Sequence, residues 1–150
     1  MKMSNKLAGT QFEREFASRL AAEGFWVHLF QDNKNGQPCD MVVARNGITY
    51  LIDCKDCQGD FFELRRMEEN QLNAMRMFEM TGNSRGKFAI RFASGEIFLV
   101  DYWQLEISRN NGMKRIDRTG CELFGFDLER WLRYCGRQEG GEKIASCDWQ

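Results

Sequence analysis

The sequence predicts an α/β domain in which helices flank a central mixed β-sheet, in the order α-β-β-β-α-β-β-α. Three observations carry this. Phe12, Phe16 and Leu20 recur every four residues, the apolar stripe of an amphipathic helix. Two strand-like runs, Asp40 to Arg45 and Ile48 to Asp53, meet at Asn46-Gly47, the strongest short-range hairpin signal. Leu64, Met67, Leu72, Met75 and Phe78 supply a second helical stripe farther along.

Each element follows from local chemistry. Thr10 is placed to cap the first helix, with Glu13 at the capping-box position and Gly24 just past the helix end near Ala22. Phe25 to Phe30 reads as the first strand. Gln31 to Pro38 is polar, with Asn33, Asn35 and Gly36, and reads as a loop. The Asn-Gly hairpin comes next. The second helix is expected from Glu63 to about Met80, ending before Gly82. Lys87 to Ala93 and Glu96 to Tyr102 form another hairpin around Ser94-Gly95. Short helices are expected at Trp103 and from Asp127 to Tyr134, and the polar tail from Gly136 onward is expected to be loose. No internal repeat is visible.

Composition bounds the class. The 150 residues, 43% hydrophobic and 29% charged, suit one domain over residues 1–150, with a core from about 8 to 135. No run approaches the ~20 apolar residues of a membrane span. The start, Met1 to Lys6, has no apolar signal core, so a cytoplasmic protein is expected, its six cysteines reduced. Net charge is −1 and pI about 5.9, which gives no global nucleic-acid signature. Local basic patches survive in that average: Lys2 with Lys6, Arg65-Arg66, Arg85 with Lys87, and Lys114-Arg115 with Arg118.

The hairpin allows a geometric deduction. A two-residue turn at Asn46-Gly47 pairs Arg45 with Ile48, Ala44 with Thr49, Val43 with Tyr50, Val42 with Leu51 and Met41 with Ile52. Continued one step, it sets Asp40 opposite Asp53, with Cβ atoms about 4.5–5.5 Å apart. Two facing carboxylates repel unless a cation lies between them. Hard oxygen donors suit Mg²⁺ or Mn²⁺ better than zinc. Lys55, two residues beyond Asp53, points to the same strand face. A metal, carboxylates and an ammonium together describe metal-assisted phosphodiester hydrolysis. The bland alternative is a set of surface charges at a strand end.

Other constellations are weaker. Cys54-x-x-Cys57 with Cys39 lacks a fourth zinc ligand, and Cys54 should face away from Asp53 and Lys55. His28 reads as a packed strand residue rather than a catalytic base. Trp26, Trp103 and Trp131 read as core or interface aromatics. No Walker loop, dinucleotide fingerprint or nucleophile elbow is present.

Here the chain resembles the PD-(D/E)XK nuclease superfamily, and within it the Holliday-junction resolvases of the archaeal Hjc and bacterial RecU types. The resemblance rests on Gly9-Thr10-Gln11-Phe12-Glu13-Arg14-Glu15-Phe16, Glu23-Gly24-Phe25, Pro38-Cys39-Asp40-Met41-Val42-Val43-Ala44, Leu51-Ile52-Asp53-Cys54-Lys55 and Glu68-Glu69-Asn70-Gln71-Leu72. It covers roughly the first hundred residues, and the hairpin from Lys87 to Val100 also resembles later RecU strands.

The resemblance implies a restriction-endonuclease-like core and a metal-dependent, structure-selective DNA endonuclease. Asp40 and Asp53 then resemble the metal-binding acids, with Glu13 and the Cys54 backbone carbonyl as further ligands. Lys55 resembles the catalytic lysine, and Gln71 the glutamine that supports the site. Mg²⁺ is the implied cofactor, with Mn²⁺ able to substitute. Branched four-way DNA is the implied substrate, a homodimer the implied assembly, and Lys34, Arg65 and Arg66 candidate DNA contacts. Glu13 also reads as a plain capping residue, Glu15 competes for its role, and Gln71 also reads as an ordinary exposed helix residue.

Two departures stand out. A short loop replaces the inserted arm of the RecU type, and Asp32, Asn33 and Asn35 stand where resolvases carry a serine or threonine. Alternatives in the same fold are a repair, restriction or phage-encoded nuclease, or a catalytically silent DNA-binding protein.

Overall fold

A long helix opens the computed structural model, which describes residues 5–31 and 36–141. This helix, α1 (Asn5–Ala22), starts five residues before Thr10. Lys6, Leu7 and Ala8 are good helix formers, so the helix extends through Thr10 and the expected cap there is not used. Glu13 is therefore an interior helix residue and not a capping-box partner. The helix closes at Gly24, whose φ of +91° is open to glycine. Phe25 N–H donates back to the Leu20 carbonyl (3.1 Å) and Gly24 N–H to that of Ala21 (3.2 Å), satisfying orphan carbonyls of the last turn.

Strand β1 (Trp26–Leu29) pairs antiparallel with β2 (Met41–Arg45). β2 turns through Asn46 (φ +55°) and Gly47 (φ +82°) into β3 (Ile48–Asp56). Two consecutive left-handed residues make the hairpin turn whose twist matches that of the strands. The register is the expected one from Arg45↔Ile48 to Met41↔Ile52. Beyond that the ladder shifts. Asp40 N–H donates to the carbonyl of Ile52 (3.2 Å), which already faces Met41, so Asp40 does not simply oppose Asp53. Two residues against one is the geometry of a bulge, and it re-aims the Asp40 side chain.

β3 outruns its expected end at Asp53 because its second half pairs in parallel with β5 (Lys87–Arg91). The expected helix from Glu63 is replaced at its start by strand β4 (Phe61–Glu63) and a 3₁₀ turn (Leu64–Arg66). β4 pairs with β7 (Arg115–Asp117), and that long-range pairing buries Phe62 completely, overriding local helix preference. α2 then spans Glu69–Met80. β5 turns into β6 (Ile97–Asp101), followed by α3 (Tyr102–Asn110), α4 (Arg118–Phe124), β8 (Gly125–Asp127) and α5 (Leu128–Gly141). β4, β7, α4 and β8 have no counterpart among the expected elements. α5 runs on through 136–141 in place of the expected loose tail, and the tail beyond 141 lies outside the described residues.

The main sheet runs β1-β2-β3-β5-β6-β8, mixed in direction through the β3–β5 pair. Helices cover both faces. On one, α1 and α5 contribute Phe12, Phe16, Leu20, Leu128 and Trp131 to a core with Met41, Val43 and Ile52. On the other, α2 and α3 contribute Leu72, Met75 and Leu105 to a core with Leu51, Phe88 and Ile90. Strand alternation divides β3 between them. Ile52 and Cys54 face α1, so Asp53 and Lys55 share the face of Leu51, toward α2. The five cysteines of the described region are free and buried. Among the described residues no helix is long and apolar enough to cross a membrane.

Candidate active site

Among the described residues, four side chains of acidic, basic or amide type are buried: Asp40, Asp53, Lys55 and Gln71. Such groups are rarely buried without partners or purpose. These four lie together.

Asp53 is 1% exposed. Its Oδ1 accepts from Gln71 Nε2 at 3.1 Å. Its Oδ2 lies 3.0 Å from Lys55 Nζ, an ion pair by distance. That oxygen has no aligned hydrogen bond among its neighbours, and it is sealed from solvent. Asp40 is held differently. Its Oδ2 accepts from the Cys54 backbone N–H at 2.6 Å and its Oδ1 from Gln37 Nε2 at 3.3 Å. Glu13, half-buried on α1, reaches Asp40 closely enough to raise its pKa by charge and by a shared hydrogen bond. Glu15 is excluded from that role by position. It is bound to Arg91 at 2.8 Å, and Arg91 also holds Asp56 at 2.9 Å and covers the Phe12 ring.

Gln71 is anchored at both ends. Its Oε1 accepts from Glu68 N–H at 3.2 Å where α2 begins, so its Nε2 must be the end aimed at Asp53. It is not an exposed helix residue.

The electrostatics favour proton or cation uptake. Burial pushes Asp40 up to about 7, with Glu13 adding repulsion and the Cys54 N–H only partly offsetting it. Burial likewise raises Asp53 to about 7, Asp40 adding repulsion and Lys55 opposing it. The two carboxylates are coupled and titrate as a pair.

The donor set bears on whether a divalent ion fits. Among the described residues no three or more His, Cys, Asp or Glu side chains stand in finished metal-binding geometry. Yet two buried, mutually repelling carboxylates, a third acid beside them and a buried oxygen without an aligned donor form a hard, anionic set. That set fits a hard cation. Zinc does not fit. Cys54 belongs to the core under α1, whereas Cys39 and Cys57 belong to the opposite one. Burial also pushes Cys39 up to about 12 and Cys57 to about 11, away from the thiolate a soft site needs.

The candidate DNA contacts are placed unevenly. Arg66 donates to the Asp56 carbonyl at 3.0 Å and covers Phe62, so it braces the end of β3. Arg65 is exposed beside it. Lys34, with Asp32, Asn33 and Asn35, lies outside the described residues. His28 is exposed on edge strand β1 rather than packed, and Trp26 is 62% exposed, while Trp131 is core. Gln37 and Asn70 escaped sequence reasoning. Asn70 Nδ2 donates to the Gln37 carbonyl at 2.8 Å, tying the loop that carries Gln37 to the start of α2. The sole prior signal was their nearness in sequence to Asp40 and Gln71.

Comparison with known proteins gives a family and a fold. The family model for the archaeal Holliday junction resolvase (Hjc) matches residues 4–139. No curated protein sequence matches the chain. Among solved structures, Hjc from Archaeoglobus fulgidus, described as a Holliday junction resolvase from an archaeal hyperthermophile, superposes with a TM-score of 0.64. The alignment has 16% identity and covers 83% of this chain and 99% of that one, so it bears on the fold, which is restriction-endonuclease-like.

Proposed function

Since the chain belongs to the archaeal Holliday junction resolvase (Hjc) family, we propose that its structure-selective endonuclease chemistry is carried by Asp40, Asp53 and Lys55. The family makes it a nuclease acting on DNA with divalent metal ions. The finer reading is that the ion is Mg²⁺, with Mn²⁺ able to substitute. The observation that supports the assignment is burial: the four buried acidic, basic or amide side chains of the described region are two acids, a lysine and a glutamine that lie together.

In this reading Asp40, Asp53, Glu13 and the Cys54 carbonyl hold the ion. When bound, it supplies positive charge at the reacting phosphate and acidifies a water. The protein's own groups do the rest. Lys55 sits beside Asp53 and presents its ammonium to the phosphate oxygens or to the attacking water, where it stabilises developing negative charge. Gln71 fixes the rotamer of Asp53 through its amide. The Cys54 N–H and Gln37 fix Asp40. Burial excludes bulk water and strengthens each of these interactions.

The proposed substrate is the four-way junction, and the proposed assembly a homodimer, because two symmetric nicks need two centres. The test is nicking of a synthetic four-way junction with Mg²⁺ by the wild type, Asp53→Ala and Lys55→Ala. Paired nicks that both substitutions abolish, and that linear duplex does not suffer, are expected. Failure to cut any DNA with Mg²⁺ or Mn²⁺ would overturn the assignment.

A further inference from the structure

Strand β1 is one edge of the main sheet, and a row of rings runs along it and just past its end. Trp26, His28 and Phe30 alternate along the chain, so they share one face with Val42 and Ala44 of β2. The Trp26 and His28 rings lie 6.1 Å apart and within 11° of parallel. Phe30 stands edge-on to His28 at 5.6 Å. Val27, pointing the other way, packs on the core under α1, whereas Trp26 and His28 join neither buried cluster. Phe30 packs against the core on the α2 side, so Trp26 and His28 are the part of the row left in water on an edge strand.

The row leads to the candidate centre. Phe30 N–H donates to the Asp40 carbonyl at 2.9 Å. At about 3.3 Å per residue, Trp26 lies roughly 13 Å farther along the strand. That is the reach of a few nucleotides from a phosphate at Asp40.

We infer that Trp26 and His28 form a stacking platform for unpaired or splayed bases next to the scissile phosphate. The inference rests on the nuclease reading above and supplies its substrate selectivity. A linear duplex buries its base faces in its own stack, whereas a branch point exposes some, and aromatic rings accept any of them. Charge argues for the same source of binding. The chain is net −1, and Arg19, Arg76, Arg85, Arg91, Arg109 and Arg118 each already hold a carboxylate. These six arginines have less charge to offer phosphate.

The experiment measures binding of the full chain carrying Asp53→Asn, so that DNA stays uncut, to a labelled four-way junction and a linear duplex at two salt concentrations. Trp26→Ala and His28→Ala should each weaken junction binding about tenfold at both salts, with duplex binding changed less than about twofold. Trp26→Phe should restore most of the affinity, and circular dichroism should show each variant folded. Equal losses on both DNAs, no loss on either, or conversion of a dimer to a monomer in sedimentation each overturn the platform. The last would make the edge a seam between copies. Nicking by the otherwise wild-type chain keeps the two proposals apart. Trp26-dependent junction binding without any cleavage overturns the nuclease reading and keeps the platform. Cleavage that is indifferent to Trp26→Ala does the reverse.

Discussion

The side-chain amide of Gln71 ties the start of α2 to Asp53, accepting from Glu68 N–H at 3.2 Å and donating to Asp53 Oδ1 at 3.1 Å. A helix terminus thus sets the rotamer of a buried carboxylate on the neighbouring strand. Gln71→Ala should lower the single-turnover cleavage rate about ten- to a hundredfold while leaving DNA affinity close to wild type. It should also cost about 1–3 kcal/mol in urea unfolding, since it leaves the Asp53 oxygen unsatisfied. An equal loss of rate and affinity would argue against a positioning role.

Asp53 and Asp40 both have pKa values raised to about 7, so the folded state binds protons that the unfolded chain has released. Stability from this source is fully present below the ordinary carboxylate range near 4 and is lost as pH rises through about 7. Metal-free protein should therefore lose on the order of 1–4 kcal/mol between pH 4 and pH 8. Asp53→Asn should flatten roughly half of that slope, since burial and Glu13 still raise Asp40, and stabilise the metal-free chain at pH 8, while abolishing cleavage. A pH-independent denaturation midpoint would count against the buried carboxylate pair.

Metal binding must compete with those same protons. The thermal midpoint should rise on adding Mg²⁺ or Mn²⁺, and the rise should be larger at pH 8 than at pH 6. Chelation should reverse it. A shift that is larger at the lower pH would contradict carboxylate ligation.

Lys55 stands 3.0 Å from Asp53 Oδ2 and covers the Phe88 ring. Lys55→Met keeps much of the stem packing but removes the charge. Cleavage should fall about 10²- to 10⁴-fold. The metal-induced rise in thermal midpoint should persist, which separates an electrostatic role at the phosphate from a role in holding the ion.

Gly125 tests the fold itself. A Cβ there would stand 2.3 Å from the Leu99 carbonyl oxygen, in the strand that β8 pairs with. Gly125→Ala should destabilise the chain by about 1–3 kcal/mol in chemical denaturation. The cleavage rate of the folded fraction should be unchanged, because β8 lies at the far edge of the sheet from β1.

Short-range chemistry governs the features that are legible along the chain. Asn46-Gly47 dictates a tight turn, the turn dictates the register down to Met41↔Ile52, and strand alternation then sets Asp53 and Lys55 on one face. The stripe of Phe12, Phe16 and Leu20 and that of Leu72 and Met75 needed only helical periodicity. Tertiary structure decided the rest. Glu13 reads locally as a capping residue, and only the docking of α1 on the sheet brings it to Asp40 while Arg91 draws Glu15 away. The bulge that turns Asp40 toward the Cys54 N–H breaks a register that local rules would continue. β4 and β7 are three residues each and more than fifty residues apart in the chain. Strands so short carry no periodicity, and their pairing energy appears only once the intervening helices have packed.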